Sequence, residues 1–294
     1  MAEIVKGGRE IKEILEESFK TKKGCLIGRW GTVELECLLG RGNTKVLERN
    51  AGVFPSTQSS IEGWKQEYKK AIQSSDTLAT GWYGPTSTVE QEFLKYLQWG
   101  GIQVPLRSLE PYYVNSEDRW ISSLENKKVC IVSSFTTTME SQTLRLDKVW
   151  PLDGFFPKGI EWSWVTTGYA PILAQGRGSW SEITCEDIQS WSDAVEYCVR
   201  EVMRSNPDIV LIGCGGLSMI IGSKLKVMGK ACIVLGGSVQ VFFGIKGMRW
   251  KEHGVIGKFW NESWVWPLEE ETPGGAREIE GGCYWGGARK TINI

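Results

Sequence analysis

The sequence predicts an α/β protein on an open, Rossmann-like, doubly wound, mostly parallel sheet with helices on both faces. Two observations predict it. Short apolar runs alternate with amphipathic segments of helical period, and the unusual residues collect where the runs end. Helices between strands require right-handed crossovers, hence parallel pairing.

Residues 8–20 place Ile11, Ile14, Leu15 and Phe19 at helical spacing; Lys23-Gly24 stops that helix and 25–28 reads as a strand. A helix over 32–39 follows, then an amphipathic helix over 57–74, a strand over 77–80 and a helix over 86–99 with Ser87 or Thr88 as its cap. Next come a strand over 102–106, a short helix over 118–124, a buried strand over 128–133 and a helix over 137–150. Residues 161–165 alternate like a strand. One long helix is expected over 184–205, turned by Asn206-Pro207-Asp208 into a strand over 209–212. Segments 217–228 and 231–235 supply the last clear helix and strand. One domain over 1–294 is expected. Its Gly-rich tail, about 250–294, carries Cys283-Tyr284-Trp285 and is expected to pack back on the body.

Composition narrows the function. Apolar residues at 41% and charged residues at 23% are ordinary globular values, so a packed core is affordable at 294 residues. With 34 Lys+Arg against 35 Asp+Glu there is no basic surplus, which argues against a nucleic-acid partner. The eight cysteines show no CxxC pair and several lie in apolar runs, as reduced core residues do. Residues 1–23 are charged and lack the apolar run of a signal peptide, and the most apolar stretch, 209–222, is broken by glycines and too short to span a bilayer. A cytoplasmic protein with no transmembrane segment is expected. His253 is the only histidine, so Ser-His-Asp, Cys-His and multi-histidine metal sites are excluded and proton transfer falls to Glu, Asp, Tyr, Lys or groups of the substrate.

In doubly wound sheets ligands bind at the carboxyl ends of the strands. The first such end is Gly28-Arg29-Trp30-Gly31-Thr32-Val33-Glu34, where a helix start, an arginine and Gly31 make a phosphate seat. Glu34, in the first helical turn, can serve as general base, ribose acceptor or metal ligand. The bland alternative is an Arg-Glu pair beside a capping threonine. A second end, Gly213-Cys214-Gly215-Gly216, lacks both the Walker A ending and the GxGxxG spacing. It reads as a diphosphate-approaching turn or as a plain tight turn. A third runs from Gly236-Gly237 through Gln240 to Lys246 and Arg249, two cations suited to neutralising a diphosphate leaving group. Ser133-Ser134 opens a hydroxyl-rich junction that either binds sugar or phosphate oxygens or caps a helix. Fifteen tryptophans are a large share; Trp82, with Tyr83, and Trp250 stand at strand-end loops, where a flat face suits a nucleobase or pyranose. Asp76 and Glu110 are reserve carboxylates.

Taken together, GRWGTVE, the LEPYYVNSEDRW segment before KKVCIVSSF, the LGGSVQVFFGIKGMRW block and the EGGCYW near the end resemble the GT-D type glycosyltransferases, over about residues 24–285. The resemblance implies a Rossmann-like fold and transfer of a hexose or pentose from a nucleoside-diphosphate sugar, such as UDP-glucose or UDP-xylose, to a glycan acceptor. Members of the better-known branch carry Asp-x-Glu after Arg-x-Gly and bind a divalent metal with it. Here Thr32 replaces the aspartate and Glu34 keeps the second position. A hydroxyl is a poor substitute for a carboxylate as a Mg²⁺ or Mn²⁺ ligand, so weak metal binding or none is expected. The rival readings are a noncatalytic nucleotide- or carbohydrate-binding module and another phosphate-handling α/β transferase, such as a pyruvyltransferase.

Overall fold

Apolar runs of four to six residues become strands here because both of their faces are covered. In chain order they are β1 (Cys25–Gly28), β2 (Thr77–Thr80), β3 (Ile102–Pro105), β4 (Lys128–Ser133), β5 (Glu161–Thr166), β6 (Ile209–Gly213) and β7 (Ala231–Val234). All pair in parallel, in the order β3-β2-β1-β7-β6-β4-β5. The structure is a computed structural model and describes residues 2–81, 84–114, 116–151 and 155–286.

Alternate strand residues feed two cores. Leu26, Cys130, Val132, Val210, Ile212 and Cys232 enter one; Ile27, Val129, Ile131, Ile209, Leu211 and Ile233 enter the other. This double burial explains why the strands read as continuous apolar runs. The helices are α1 (Ala2–Thr21), α2 (Thr32–Leu38), α3 (Thr44–Ala51), α4 (Gln58–Ser74), α5 (Gly84–Tyr96), α6 (Thr136–Thr143) and α7 (Leu146–Val149). They continue with α8 (Pro171–Ala174), α9 (Trp180–Thr184), α10 (Trp191–Ser205), α11 (Ser218–Val227), α12 (Ser238–Phe242) and α13 (Met248–Lys251). Leu35, Leu47, Trp64, Phe93, Val195 and Ile221 bring α2–α5, α10 and α11 to the first core. Ile11, Met139 and Phe242 bring α1, α6 and α12 to the second.

Four expectations about elements change. The helix over 184–205 is two: α9 ends at Cys185, which takes a left-handed φ of 56°, and α10 starts afresh where the Ser190 side chain accepts from the Asp193 N–H. The helix over 137–150 is also two, α6 and α7, because the chain leaves helical geometry at Arg145 (φ −144°). The segment around 118–124 is a run of 3₁₀ turns. An unforeseen helix, α3, lies between Asn43, whose side chain accepts from the Lys45 and Val46 N–H groups, and Gly52 in the left-handed region.

Residues 250–286 are mostly irregular and close the second core with Trp250, Trp264, Cys283 and Trp285, each at most 6% exposed. The buried carboxylate of Glu271 is one anchor. It accepts from the Thr138 N–H at 2.9 Å and from the Thr138 hydroxyl, capping α6, whose own N-cap residue, Phe135, offers no side-chain cap. Among the described residues no helix is long and apolar enough to cross a membrane, and the eight cysteines are all free thiols.

The topology places the site. The crossover from β4 runs outward to the edge strand β5, while that from β6 runs inward to β7. Connections therefore diverge at the β4–β6 pair, where Ser133 and Gly213 are register partners at the carboxyl ends. Such a divergence leaves a crevice above the sheet.

Candidate active-site cleft

A cleft of about 280 Å³ opens at that edge, above β1, β7, β6, β4 and β5. Its two ends differ in chemistry. The end over β1 and β7 carries Arg29, Thr32, Glu34, Gly236, Gly237 and Arg249; the end over β4 and β5 carries Phe135, Tyr169, Leu173, Trp180 and Trp285. Ser133, Ser134, Gly213 and Gly215 lie between them.

Arg29 follows β1 directly and is partly exposed. Its guanidinium lies over the β7–α12 turn: a Cβ on Gly236 would come within 3.3 Å of Nη1. Gly236 has φ +58°, so both its conformation and this approach suit glycine. Among the described residues no carboxylate lies within 4.0 Å of Arg29; its one hydrogen bond is the 3.3 Å contact from Nη2 to the Trp30 carbonyl. The charge is nonetheless felt at a longer range, since it draws down the pKa of Glu34, Glu90 and Glu110.

Glu34 is buried, and burial raises its pKa above the ordinary carboxylate value. Opposing this, the backbone N–H groups of Glu34 and Gly31 and the charge of Arg29 favour the ionised form. With Gly31 as N-cap, Glu34 is the third residue of α2 and folds back on its own helix start, the glutamate half of a capping box. A Cβ on Gly31 would collide with Oε2, which is why glycine stands there. Glu34 thus lines the cleft while filling part of the anion seat expected at the start of α2.

The remaining predicted residues separate clearly. Gly215 takes φ +50° and its Cβ would come within 2.7 Å of the Ala51 carbonyl, so the glycine loop is shaped by α3 as well as by the cleft. Gly216 is buried below the cleft, its carbonyl accepting from Trp64 Nε1 at 2.9 Å, and does not line it. Ser133 accepts from the Phe135 N–H. Gln240 is fully buried in the wall, its amide donating to the Lys246 and Tyr284 carbonyls at 3.0 and 2.7 Å. Lys246 is not brought to the cleft: its ammonium lies 5.7 Å from the Trp260 ring centroid, on the far side of the chain turn that Gln240 holds. Arg249 does reach the rim. It stacks 4.5 Å from the Tyr284 centroid, donates to the Tyr284 hydroxyl at 2.7 Å and pairs with Glu280 at 2.8 Å. Trp82 and Tyr83 lie outside the described residues.

The reserve carboxylates part company. Asp76 sits at the opposite edge of the sheet, accepting from Leu26 N–H and Lys226, and serves the fold. Glu110 is on the carboxyl-end side; burial raises it to about 7 against the pull of the nearby Tyr112 hydroxyl, Arg29 and Arg107. It does not line the cleft. His253 accepts from the Val255 and Ile256 N–H groups through Nδ1, a local turn bond outside the cleft.

Sequence reasoning missed Arg49, Thr167, Tyr169, Trp180 and Glu280 as cleft residues. Arg49 came with the overlooked α3, whose Asn43 cap and Gly52 stop were a usable signal. Glu280 and Tyr169 arrive by tertiary folding, for which no local signal existed.

The donor set does not suit a tightly held divalent metal. Thr32 offers a hydroxyl and Glu34 one carboxylate already facing backbone N–H groups, which repel a cation. Among the described residues no three His, Cys, Asp or Glu side chains gather as a metal site.

No protein-family model matches the chain, and no curated protein matches it. Two solved structures of the domain of unknown function 1792 are similar to it, one described as having a distinct glycosyltransferase fold and the other a selenomethionine-substituted form. Each is 13% identical, with a TM-score of 0.43, over 91% of this chain and 96% of theirs.

Proposed function

We propose that the cleft binds a nucleoside-diphosphate sugar and transfers its sugar to a glycan acceptor hydroxyl. The observation that carries this is Arg29: a guanidinium with no carboxylate partner among the described residues, over a glycine turn, at the carboxyl edge of a doubly wound sheet. An unpaired, partly desolvated guanidinium is a matched receptor for phosphate oxygens. The GT-D resemblance of the surrounding motifs supports the same reading.

The bipartite lining suggests how the donor lies. The base and ribose take the aromatic end among Phe135, Tyr169 and Trp285, with Ser133 and Ser134 facing ribose hydroxyls; the diphosphate takes the end with Arg29, Gly236 and Gly237. The acceptor oxygen attacks the anomeric carbon, the bond from that carbon to the diphosphate oxygen breaks, and its electron pair leaves with the nucleoside diphosphate. Arg29, with Arg249 at the rim, stabilises that developing charge. Glu34 receives the acceptor proton; its burial raises its pKa toward the range useful for a base at neutral pH. No step is assigned to a metal ion.

One observation favours a second reading. The carboxylate of Glu34 is turned onto the start of α2, the geometry of a structural cap, and a noncatalytic nucleotide-binding module needs no more. Incubating the protein with UDP-glucose and UDP-xylose, with and without Mn²⁺, and measuring UDP release separates the two: turnover supports transfer, while binding without release supports the module. A phosphate-handling transferase of another kind, such as a pyruvyltransferase, ignores both UDP-sugars.

A further inference from the structure

Glu90, which neither the motifs nor the resemblance single out, occupies an unusual place. It lies on α5, is 1% exposed, and divides its two carboxylate oxygens between two strand-end turns. Oε1 accepts from Trp30 Nε1 at 2.9 Å, in the turn after β1; Oε2 accepts from the Gly81 N–H at 3.1 Å, in the turn after β2. Trp30 is itself only 3% exposed. The indole is therefore tied to α5 through its N–H, and the turn that carries it, Arg29-Trp30-Gly31, lines the cleft. Among the described residues, the one hydrogen bond that Arg29 makes is to the carbonyl of the same Trp30.

A buried carboxylate is a costly way to secure a tryptophan, since an amide or carbonyl would accept the same bond. Burial raises the Glu90 pKa, while the Gly81 and Trp30 hydrogen bonds and the Arg29 charge oppose the rise. Glutamate supplies two things that an amide does not: a second acceptor for Gly81 and a negative charge below Arg29.

We infer that Glu90 is a positioning residue, whose carboxylate clamps the turns after β1 and β2 together and thereby aims Arg29 at the diphosphate of the donor. This rests on the proposed donor site. The clamp acts through Arg29, so its loss and the loss of Arg29 remove the same binding contribution. Two independent contributions add in free energy, whereas a residue acting through another does not.

The test is a double-mutant cycle read by titration calorimetry with UDP. Glu90→Gln keeps the acceptor for Trp30 but turns an NH₂ toward the Gly81 N–H; Trp30→Phe removes one arm and leaves the Gly81 arm intact. Each is expected to weaken UDP binding by roughly five- to tenfold in the wild-type background and by less than about twofold in an Arg29→Ala background. Far-UV circular dichroism and the unfolding midpoint without ligand establish that each variant is folded; Trp30→Phe, which keeps a ring in the core, serves if Glu90→Gln does not fold. Undiminished UDP affinity in both variants, or losses as large with Arg29→Ala as without it, overturns the inference while leaving the donor site standing. Absence of UDP binding by the wild-type protein overturns both.

Discussion

Replacing Glu271 by alanine tests how the C-terminal segment is fixed as a cleft wall. The carboxylate accepts from the Thr138 N–H (2.9 Å), the Thr138 hydroxyl and the Leu268 N–H (3.3 Å), and the residue is 5% exposed. The Glu271 carbonyl accepts from Trp285 Nε1 at 3.1 Å and from the Tyr169 hydroxyl at 2.7 Å, so the segment it pins carries one aromatic residue of the cleft, Trp285, and holds a second, Tyr169, by a hydrogen bond. A hydrogen bond to a charged group is worth about 1.5–3 kcal/mol, and a buried donor left unpaired costs about 1–3 kcal/mol. Relief of carboxylate burial offsets part of the loss, so the net expectation is roughly 2–4 kcal/mol. At about 2–4 °C per kcal/mol for a chain approaching this size, Tm falls by roughly 5–15 °C. Burial raises the Glu271 pKa, opposed by the Thr138 side-chain and backbone bonds. A raised folded pKa makes its contribution full below the unfolded value and smaller as pH rises through the folded one. The gap between wild type and Glu271→Ala is therefore wider at pH 4.5 than at pH 8. Denaturant unfolding at both values measures it; a loss below about 0.5 kcal/mol, typical of an unremarkable surface site, would refute the anchoring role.

Three further outcomes follow from the same geometry. Burial pushes Glu110 up to about 7 in the fold, above its ordinary value of 4.5, so its contribution to stability is fully present below about 4.5 and lost as pH rises through 7; Glu110→Gln gains stability relative to wild type between pH 5 and 8, measured by paired unfolding curves. Gly236→Ala places a β-carbon on a left-handed residue and against the Arg29 guanidinium, costing about 1 kcal/mol or more of stability and weakening UDP binding several-fold by calorimetry. Glu34→Gln lowers UDP release from a UDP-sugar by roughly a hundredfold or more if the carboxylate takes the proton, with less than about 1 kcal/mol lost in stability because an amide oxygen can still accept at the helix start. Full turnover in the folded variant removes Glu34 from the chemistry.

How much the sequence foretold depends on how local the cause is. Strands such as Thr77–Thr80 and Lys128–Ser133 were legible because burial on two faces leaves a continuous apolar run. Helix interruptions at Cys185 and Arg145 were not: no glycine or proline marks them, and tertiary packing bends the chain there. In the cleft, Arg29 and the glycines at strand ends were visible as motif. Their reasons were partly different from the expected ones. Gly213 is glycine because a Cβ would come within 2.5 Å of Val239 Cγ1, and Gly31 because Glu34 folds beneath it. Lys246 and Arg249 are three residues apart in sequence, yet one lies against Trp260 and the other reaches Glu280, a division set by the way Val265 pairs with Ile245.

The central claim is that Arg29 and its glycine turn hold a nucleoside diphosphate, and the most direct measurement is the unfolding midpoint of wild type and Arg29→Ala with UDP. At about 100 times its dissociation constant a ligand adds about 2.7 kcal/mol, which raises the wild-type Tm by roughly 5–10 °C. The same concentration raises that of Arg29→Ala by much less. A wild-type midpoint unmoved by UDP, or an equal rise in both proteins, would contradict the assignment.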